Sequence, residues 1–188
     1  GELAISQSDA SAFELGTTIA ATQGQVIFRN HLIEIIHYAP SRDKVHARPV
    51  LIFPPWINKF YILDLQPENS MVGWLRDQGA NTFIVSWRSA DQTTKDLTWD
   101  DYVESGVYAA LNVVLTVTGQ DQVNAVGYCI GGTLLTSALA YMSKHGDNRI
   151  ASATLLASQA DLENAGELKT RLASQPSDYL EQVYEKHN

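Results

Sequence analysis

Four short, strand-like runs, at Val50–Phe53, 81–87, Val123–Tyr128 and Ile150–Leu156, the first of them continuously apolar, constrain this chain more than any other feature. A run with no polar alternation reads as a strand covered on both faces, the situation inside a parallel sheet. The segments between the runs have helix length and helix punctuation. Pro67 is placed to open a helix that ends near Gln78, with Gly79 as its C-terminal cap. Thr98 and Asp101 have capping-box-like spacing ahead of a helix reaching about Thr118 and closed by Gly119, and a third helix covers 132–144. Strands alternating with helices of this length imply right-handed βαβ crossovers and a mainly parallel sheet. Ahead of them, 25–29 and 32–38 are β-rich runs joined through Asn30 and His31, which predicts an antiparallel hairpin at one sheet edge. Residues 1–24 mix Ser, Gln, Thr and Ala with a weak helical pattern and are expected on the surface.

A chain of 188 residues suits one domain, and 45% hydrophobic against 18% charged residues reads as globular. The formal net charge of -8 argues against a nucleic-acid partner, which would require clustered Lys and Arg. Lys59, Arg88 and Lys95 are the cations available to a small anionic ligand, although solvated surface charge is the commoner role for such residues. A single cysteine forms no internal disulfide, which fits a reducing compartment. No signal-peptide pattern and no bilayer-length apolar stretch is present, so a soluble, cytoplasmic protein with no transmembrane segment is expected. The chain opens on Gly1 and closes on the charged, helix-like run Tyr184-Glu185-Lys186-His187-Asn188, which leads us to expect a fragment.

The chemistry centres on Val126-Gly127-Tyr128-Cys129-Ile130-Gly131-Gly132, a Gly-x-nucleophile-x-Gly pattern with Cys where Ser is usual. A nucleophile on so sharp a turn needs neighbours without side chains two residues either side, and Gly127 and Gly131 fill those places. The helix starting near Ile130 aims its positive end at the sulfur, and the Ile130 N–H points where a tetrahedral oxyanion would form. The bland alternative is a small buried core cysteine in a Gly-rich turn. Its position between an expected strand and an expected helix favours the nucleophile. A second oxyanion donor is expected from Pro54-Pro55-Trp56-Ile57-Asn58-Lys59, where two prolines end the strand and leave the Trp56 and Ile57 amides free. An ordinary turn carrying a packed aromatic explains that loop equally well.

The run Pro54-Pro55-Trp56-Ile57-Asn58-Lys59-Phe60-Tyr61-Ile62-Leu63-Asp64-Leu65 resembles polyhydroxyalkanoate synthases, the single-subunit class above all. So do Val85-Ser86-Trp87-Arg88, Thr98-Trp99-Asp100-Asp101-Tyr102 and Gly119-Gln120-Asp121 leading into the Cys129 motif. The similarity extends from about Phe13 to Leu168. It implies the front of an α/β-hydrolase-type fold, a mainly parallel sheet with helices on both faces, incomplete because the C-terminal strands and the cap are missing. In that frame 1–24 is a surface segment, 25–160 the front half of the core and 161–188 the start of the cap. The implied activity is polymerisation of 3-hydroxyacyl-CoA into a storage polyester. Cys129 would take the acyl group and pass it to the hydroxyl end of the growing chain, with Ile130, Trp56 and Ile57 forming the oxyanion hole. One sulfur replaces another at little energetic cost, which suits a thioester substrate. Homodimerisation and a place at the storage-granule surface come from the resemblance alone. No metal or cofactor is called for, since CoA enters as part of the substrate.

The family also uses a His as base and a late Asp, and here the chain departs from it. The fold orders its triad nucleophile, acid, His. Only His145 and His187 follow Cys129. His145 lies at the far end of the elbow helix, about 24 Å away at 1.5 Å per residue. His187 is penultimate, on a segment with no sheet element to support it, and Asp161 reads as a loop or cap residue. His31, His37 and His46 precede the sheet core and read as surface or hairpin residues. The expectation is therefore a nucleophile half that is inactive alone. The competing readings are a cysteine-nucleophile esterase or thioesterase, and a non-catalytic subunit that pairs with full-length enzyme or coats granules.

Overall fold

The structure is a computed structural model that describes residues 9–161. The chain divides into two compact units, Gly1–Ser158 and Gln159–Asn188, and nearly all described residues belong to the first.

The apolar runs form the sheet they predict. Strands β1 (Gly24–Arg29), β2 (Ile33–Tyr38), β3 (Val50–Phe53), β4 (Thr82–Trp87), β5 (Val123–Tyr128) and β6 (Ile150–Leu156) line up in the order β1-β2-β4-β3-β5-β6. β1 and β2 pair antiparallel with a register shift between Val26 and Phe28, and β2 joins β4 antiparallel. The pairs β3–β4, β3–β5 and β5–β6 are parallel. The hairpin thus occupies one edge, as the sequence predicts. Its turn is closed by Asn30, whose side-chain oxygen accepts from the Leu32 and Ile33 amides at 2.8 Å each.

On β3, β4 and β5 both faces are covered, and successive side chains alternate between two cores. Leu51, Phe53, Phe83, Val85, Val123 and Ala125 face one core, where helices α3 (Ala109–Thr118) and α4 (Ile130–Lys144) bury Leu111, Val114, Leu134 and Leu135. Ile52, Ile84 and Val126, one position out of phase, face the other core with Val72 of α1 (Met71–Asp77). Helices on both faces of a mainly parallel sheet is the expected architecture.

All three helices differ from their sequence reading, the third only in where it starts. The predicted helix over 67–78 is split into a 3₁₀ turn at Pro67–Asn69 and α1. Ser70 lies between them with extended backbone (φ -116, ψ 108) and caps α1 by accepting from Gly73 N. Gly79 follows with φ +84, the left-handed conformation expected of a cap. The predicted helix over 98–118 begins with the full Thr98–Asp101 capping box and ends at Gly119 with φ 63, as read. Its middle, however, is a π-helix at Tyr102–Tyr108, flanked by α2 (Trp99–Asp101) and α3. The third helix starts at Ile130, two residues before the expected Gly132.

Residues 9–21 are largely exposed, but Thr22 is anchored. Its hydroxyl donates to the Asp64 carboxylate at 2.6 Å, its N–H reaches the other carboxylate oxygen at 3.3 Å, and Ala20 N–H donates to Asp64 O at 2.8 Å. Asp64 is 1% exposed and also accepts from the Ser70 hydroxyl at 2.6 Å. One buried carboxylate thus ties the leading segment, the loop beyond β3 and the cap of α1 together. Beside it, Tyr38 is buried with no partner for its hydroxyl among the described residues, and burial first, then the Asp64 charge, raise its pKa well above the usual phenol range.

Candidate active site

Cys129 is the hinge between β5 and α4. Its backbone has φ 54 and ψ -128, a conformation rare for a residue with a side chain, with strain on the order of 1–3 kcal/mol. The surroundings over-determine it. Cys129 N–H donates to Leu156 O on β6 at 2.9 Å, and Cys129 O accepts from Gly132 N at 2.9 Å and Thr133 N at 3.2 Å. Side-chain space is exhausted on either side. A Cβ on Gly127 would press into Gly132, and a Cβ on Gly131 would lie 2.6 Å from Pro54 O and closer still to Phe53 O. The side chain of Cys129 is partly exposed at the start of α4, where the sequence places a nucleophile.

Gly132 is equally constrained, because Ser158 Oγ fills the place its Cβ would take. The Ser158 hydroxyl also donates to Leu156 O at 3.0 Å and Gly127 O at 3.4 Å, locking the elbow from the β6 side. Sequence reasoning passed over Gly132 and Ser158; the doubled glycine after Ile130 was the available signal for the first.

The loop after β3 reaches the elbow. Phe53 pairs in register with Gly127, so Pro54-Pro55-Trp56-Ile57 runs beside Tyr128-Cys129-Ile130. The amides of Trp56, Ile57 and Ile130 form no hydrogen bond among the described residues. Ile57 is 74% exposed, whereas Trp56 is half-buried, its ring against Tyr102 (4.7 Å between centroids), Trp87 (5.5 Å) and Trp99 (5.9 Å). The Trp87 indole N–H donates to Pro54 O at 2.7 Å.

None of the described histidines belongs to this cluster. His145 is the C-cap of α4, bonded to Tyr141 O at 2.8 Å and stacked on the Tyr141 ring. His37 bonds Asn81 at 2.8 Å and stacks on Phe83. The His46 amide bonds Gly79 O. His31 sits in the β1–β2 turn, three strand positions from β5, about 14 Å at ~4.8 Å per strand. His187 lies outside the described residues, and Asp161 is an exposed residue without regular structure in the second unit. Of the cations, Lys59 donates to the Ser89 hydroxyl and Arg88 pairs with Asp91 at 3.1 Å. Among the described residues no group of three or more His, Cys, Asp and Glu is placed to hold a metal, and no helix is long and apolar enough to cross a membrane.

Comparison with known proteins bears on the fold and the family. Residues 48–188 match the alpha/beta hydrolase fold model, and residues 1–75 match the model of the Poly-beta-hydroxybutyrate polymerase (PhaC) N-terminus. A sugar hydrolase from Lactococcus lactis superimposes with TM-score 0.55 at 12% identity, over 75% of this chain and 55% of that one. A Rhizomucor miehei esterase superimposes with TM-score 0.53 at 16% identity, over 76% and 46%. These structures establish the fold alone. The sequence is 48% identical over 90% of this chain to a Poly(3-hydroxyalkanoate) polymerase of Methylorubrum extorquens, covering 28% of it. It is 47% identical over 86% of this chain to the Poly(3-hydroxyalkanoate) polymerase subunit PhaC of Cupriavidus necator, again covering 28%. The chain therefore spans about 28% of the length of these relatives. It belongs to the alpha/beta hydrolase fold family, and its sequence is similar to the front part of poly(3-hydroxyalkanoate) polymerases.

Proposed function

We propose that this chain carries the acyl-accepting half of a polyhydroxyalkanoate synthase site, with Cys129 as nucleophile. The observation that supports this reading most is the strained Cys129 backbone at the start of α4, with the unspent amides of Ile130, Trp56 and Ile57 just past the C-terminal ends of the neighbouring strands β5 and β3. Cys129 Sγ attacks the thioester carbonyl of a 3-hydroxyacyl-CoA. The carbonyl oxygen takes the negative charge toward those N–H groups, the C–S bond to CoA breaks, and CoA leaves as the thiol carrying the proton of Cys129. The acyl-cysteine then yields its acyl group to the hydroxyl end of a growing polyester. Gly127 and Gly131 keep the turn tight enough for this.

The described residues supply no base for Cys129 and none for the attacking hydroxyl, so sustained turnover by this chain is not expected. Among the described residues strand β6 pairs with β5 alone and is mostly exposed along its length, which favours association with another chain. Homodimerisation, and work at a storage-granule surface in the cytoplasm, extend the proposal.

The test is incubation with 3-hydroxybutyryl-CoA. We expect at most one CoA released per chain, at a rate on the order of 10³–10⁴-fold above that in water. Cys129→Ala should abolish the release, and no free 3-hydroxybutyrate should accumulate. Accumulation of the free acid, or release indifferent to Cys129→Ala, would overturn the reading.

A further inference from the structure

We propose that Trp87 and the π-helical turn at Tyr102–Tyr108 are positioning elements that set the Trp56 and Ile57 amides against Cys129, an inference resting on the acyl-transfer reading above. A π turn is rare and unfavourable, and where one interrupts an α-helix it commonly serves a site. Here it brings Gly106 flat against the six-membered ring of Trp87, where an added Cβ would lie 2.6 Å from two ring carbons. Tyr102, the first residue of the turn, packs 5.6 Å from Trp87 and 4.7 Å from Trp56. Held between them, Trp87 is 8% exposed and directs its indole N–H to Pro54 O at 2.7 Å.

That oxygen is a pivot. On one side the first turn of α4 presses against it, since a Cβ on Gly131 would come within 2.6 Å. On the other, Trp87 is its donor. The peptide units that follow belong to Pro55, which has no N–H, and then to Trp56 and Ile57. A loop starting with two prolines has few amides with which to anchor itself, so its direction is set by the Pro54 carbonyl and the Trp56 ring, both held from the π turn and β4. Cys129 is fixed separately, through Leu156 O and the β5–α4 connection. Disturbing Trp87 should therefore shift the oxyanion donors and leave the nucleophile in place.

Two reactions of the same sulfur separate these effects. Alkylation by iodoacetamide is a displacement that builds no oxyanion, whereas acylation by a 3-hydroxybutyryl thioester must build one. In Trp87→Phe, which keeps an aromatic ring and removes the N–H, the ratio of acylation to alkylation rate at Cys129 is expected to fall about 10- to 100-fold. Gly106→Ala should shift it in the same direction. The backbone amide resonances of Trp56 and Ile57 should move in both variants, while that of Cys129 stays. An unchanged ratio, or acylation and alkylation falling together as in a merely destabilised protein, would overturn the proposal. If the unaltered chain accepts no acyl group, the acyl-transfer reading is what fails. The positioning claim is then decided by the amides alone, and stationary Trp56 and Ile57 resonances in Trp87→Phe overturn it.

Discussion

Replacing Gly131 by alanine is expected to destabilise the fold by at least about 3 kcal/mol, the upper range for overpacking, because the new methyl group runs into the backbone of Phe53 and Pro54. Its Cβ would lie 2.6 Å from Pro54 O and closer to Phe53 O and C, atoms that belong to β3 and the loop leaving it. A flexible side chain could swing aside, but these carbonyls are held in the sheet by the β3–β5 register and by the Trp87 indole. Relief requires α4 to move away from β3, and that displaces Cys129 from the turn. Gly119→Ala is the matched control, since its Cβ meets nothing within 4 Å and only the left-handed φ of 63 is strained. It should cost about 1–2 kcal/mol and leave Cys129 untouched. Denaturant midpoints measured for both variants check the order. Equal losses would mean that the space at Gly131 is less tight than the backbone implies.

Asp64→Ala should cost a similar amount, about 3 kcal/mol, through lost hydrogen bonds rather than a clash. The carboxylate is 1% exposed, and among the described residues it has no cationic partner. It is stabilised by the Thr22 and Ser70 hydroxyls at 2.6 Å each and by Thr22 N–H at 3.3 Å. Removing it takes the acceptor from both hydroxyls, releases the Thr22 amide and loosens the Ser70 side chain that caps α1. Asp64→Asn keeps the shape and one acceptor, so its loss should be less than half as large. The measurement is thermal unfolding of both variants together with limited proteolysis ahead of Gly24. Early cleavage there in Asp64→Ala, absent from Asp64→Asn, shows the leading segment released. A native Tm for Asp64→Ala would contradict the clamp.

The elements most legible in the sequence are those whose physics is local. Val50–Phe53 is a strand whose burial on both faces leaves no polar residue to confuse the reading, and Val123–Tyr128 and Ile150–Leu156 follow from their place between helix-length segments. Thr98, Asp101 and Gly119 mark helix ends through their own hydrogen bonds and backbone angles. The elbow was legible as a motif, since its glycines answer a short-range steric demand. The break at Ser70 was not, because Ser70 is drawn out of the helix by Asp64. Nor was the π turn, which seats Gly106 against the ring of Trp87, nineteen residues earlier in the chain. Asp64 read as the tail of a loop motif, yet the hydroxyl that buries it lies 42 residues earlier. What sequence left out is what tertiary contact decides.

The central claim is that Cys129 is built to accept an acyl group, and acylation kinetics test it most directly. At about pH 9 a free thiol is largely ionised without help from a base, so a 3-hydroxybutyryl thioester can be offered to this chain and to N-acetylcysteine under identical conditions. The adduct is then followed by intact mass and located by peptide mapping. The geometry predicts a single acyl group on Cys129, acquired on the order of 10²-fold faster than by the free thiol, because the oxyanion meets prearranged N–H groups. Acylation no faster than that of N-acetylcysteine, or adducts spread over lysines with Cys129 unmodified, would contradict it.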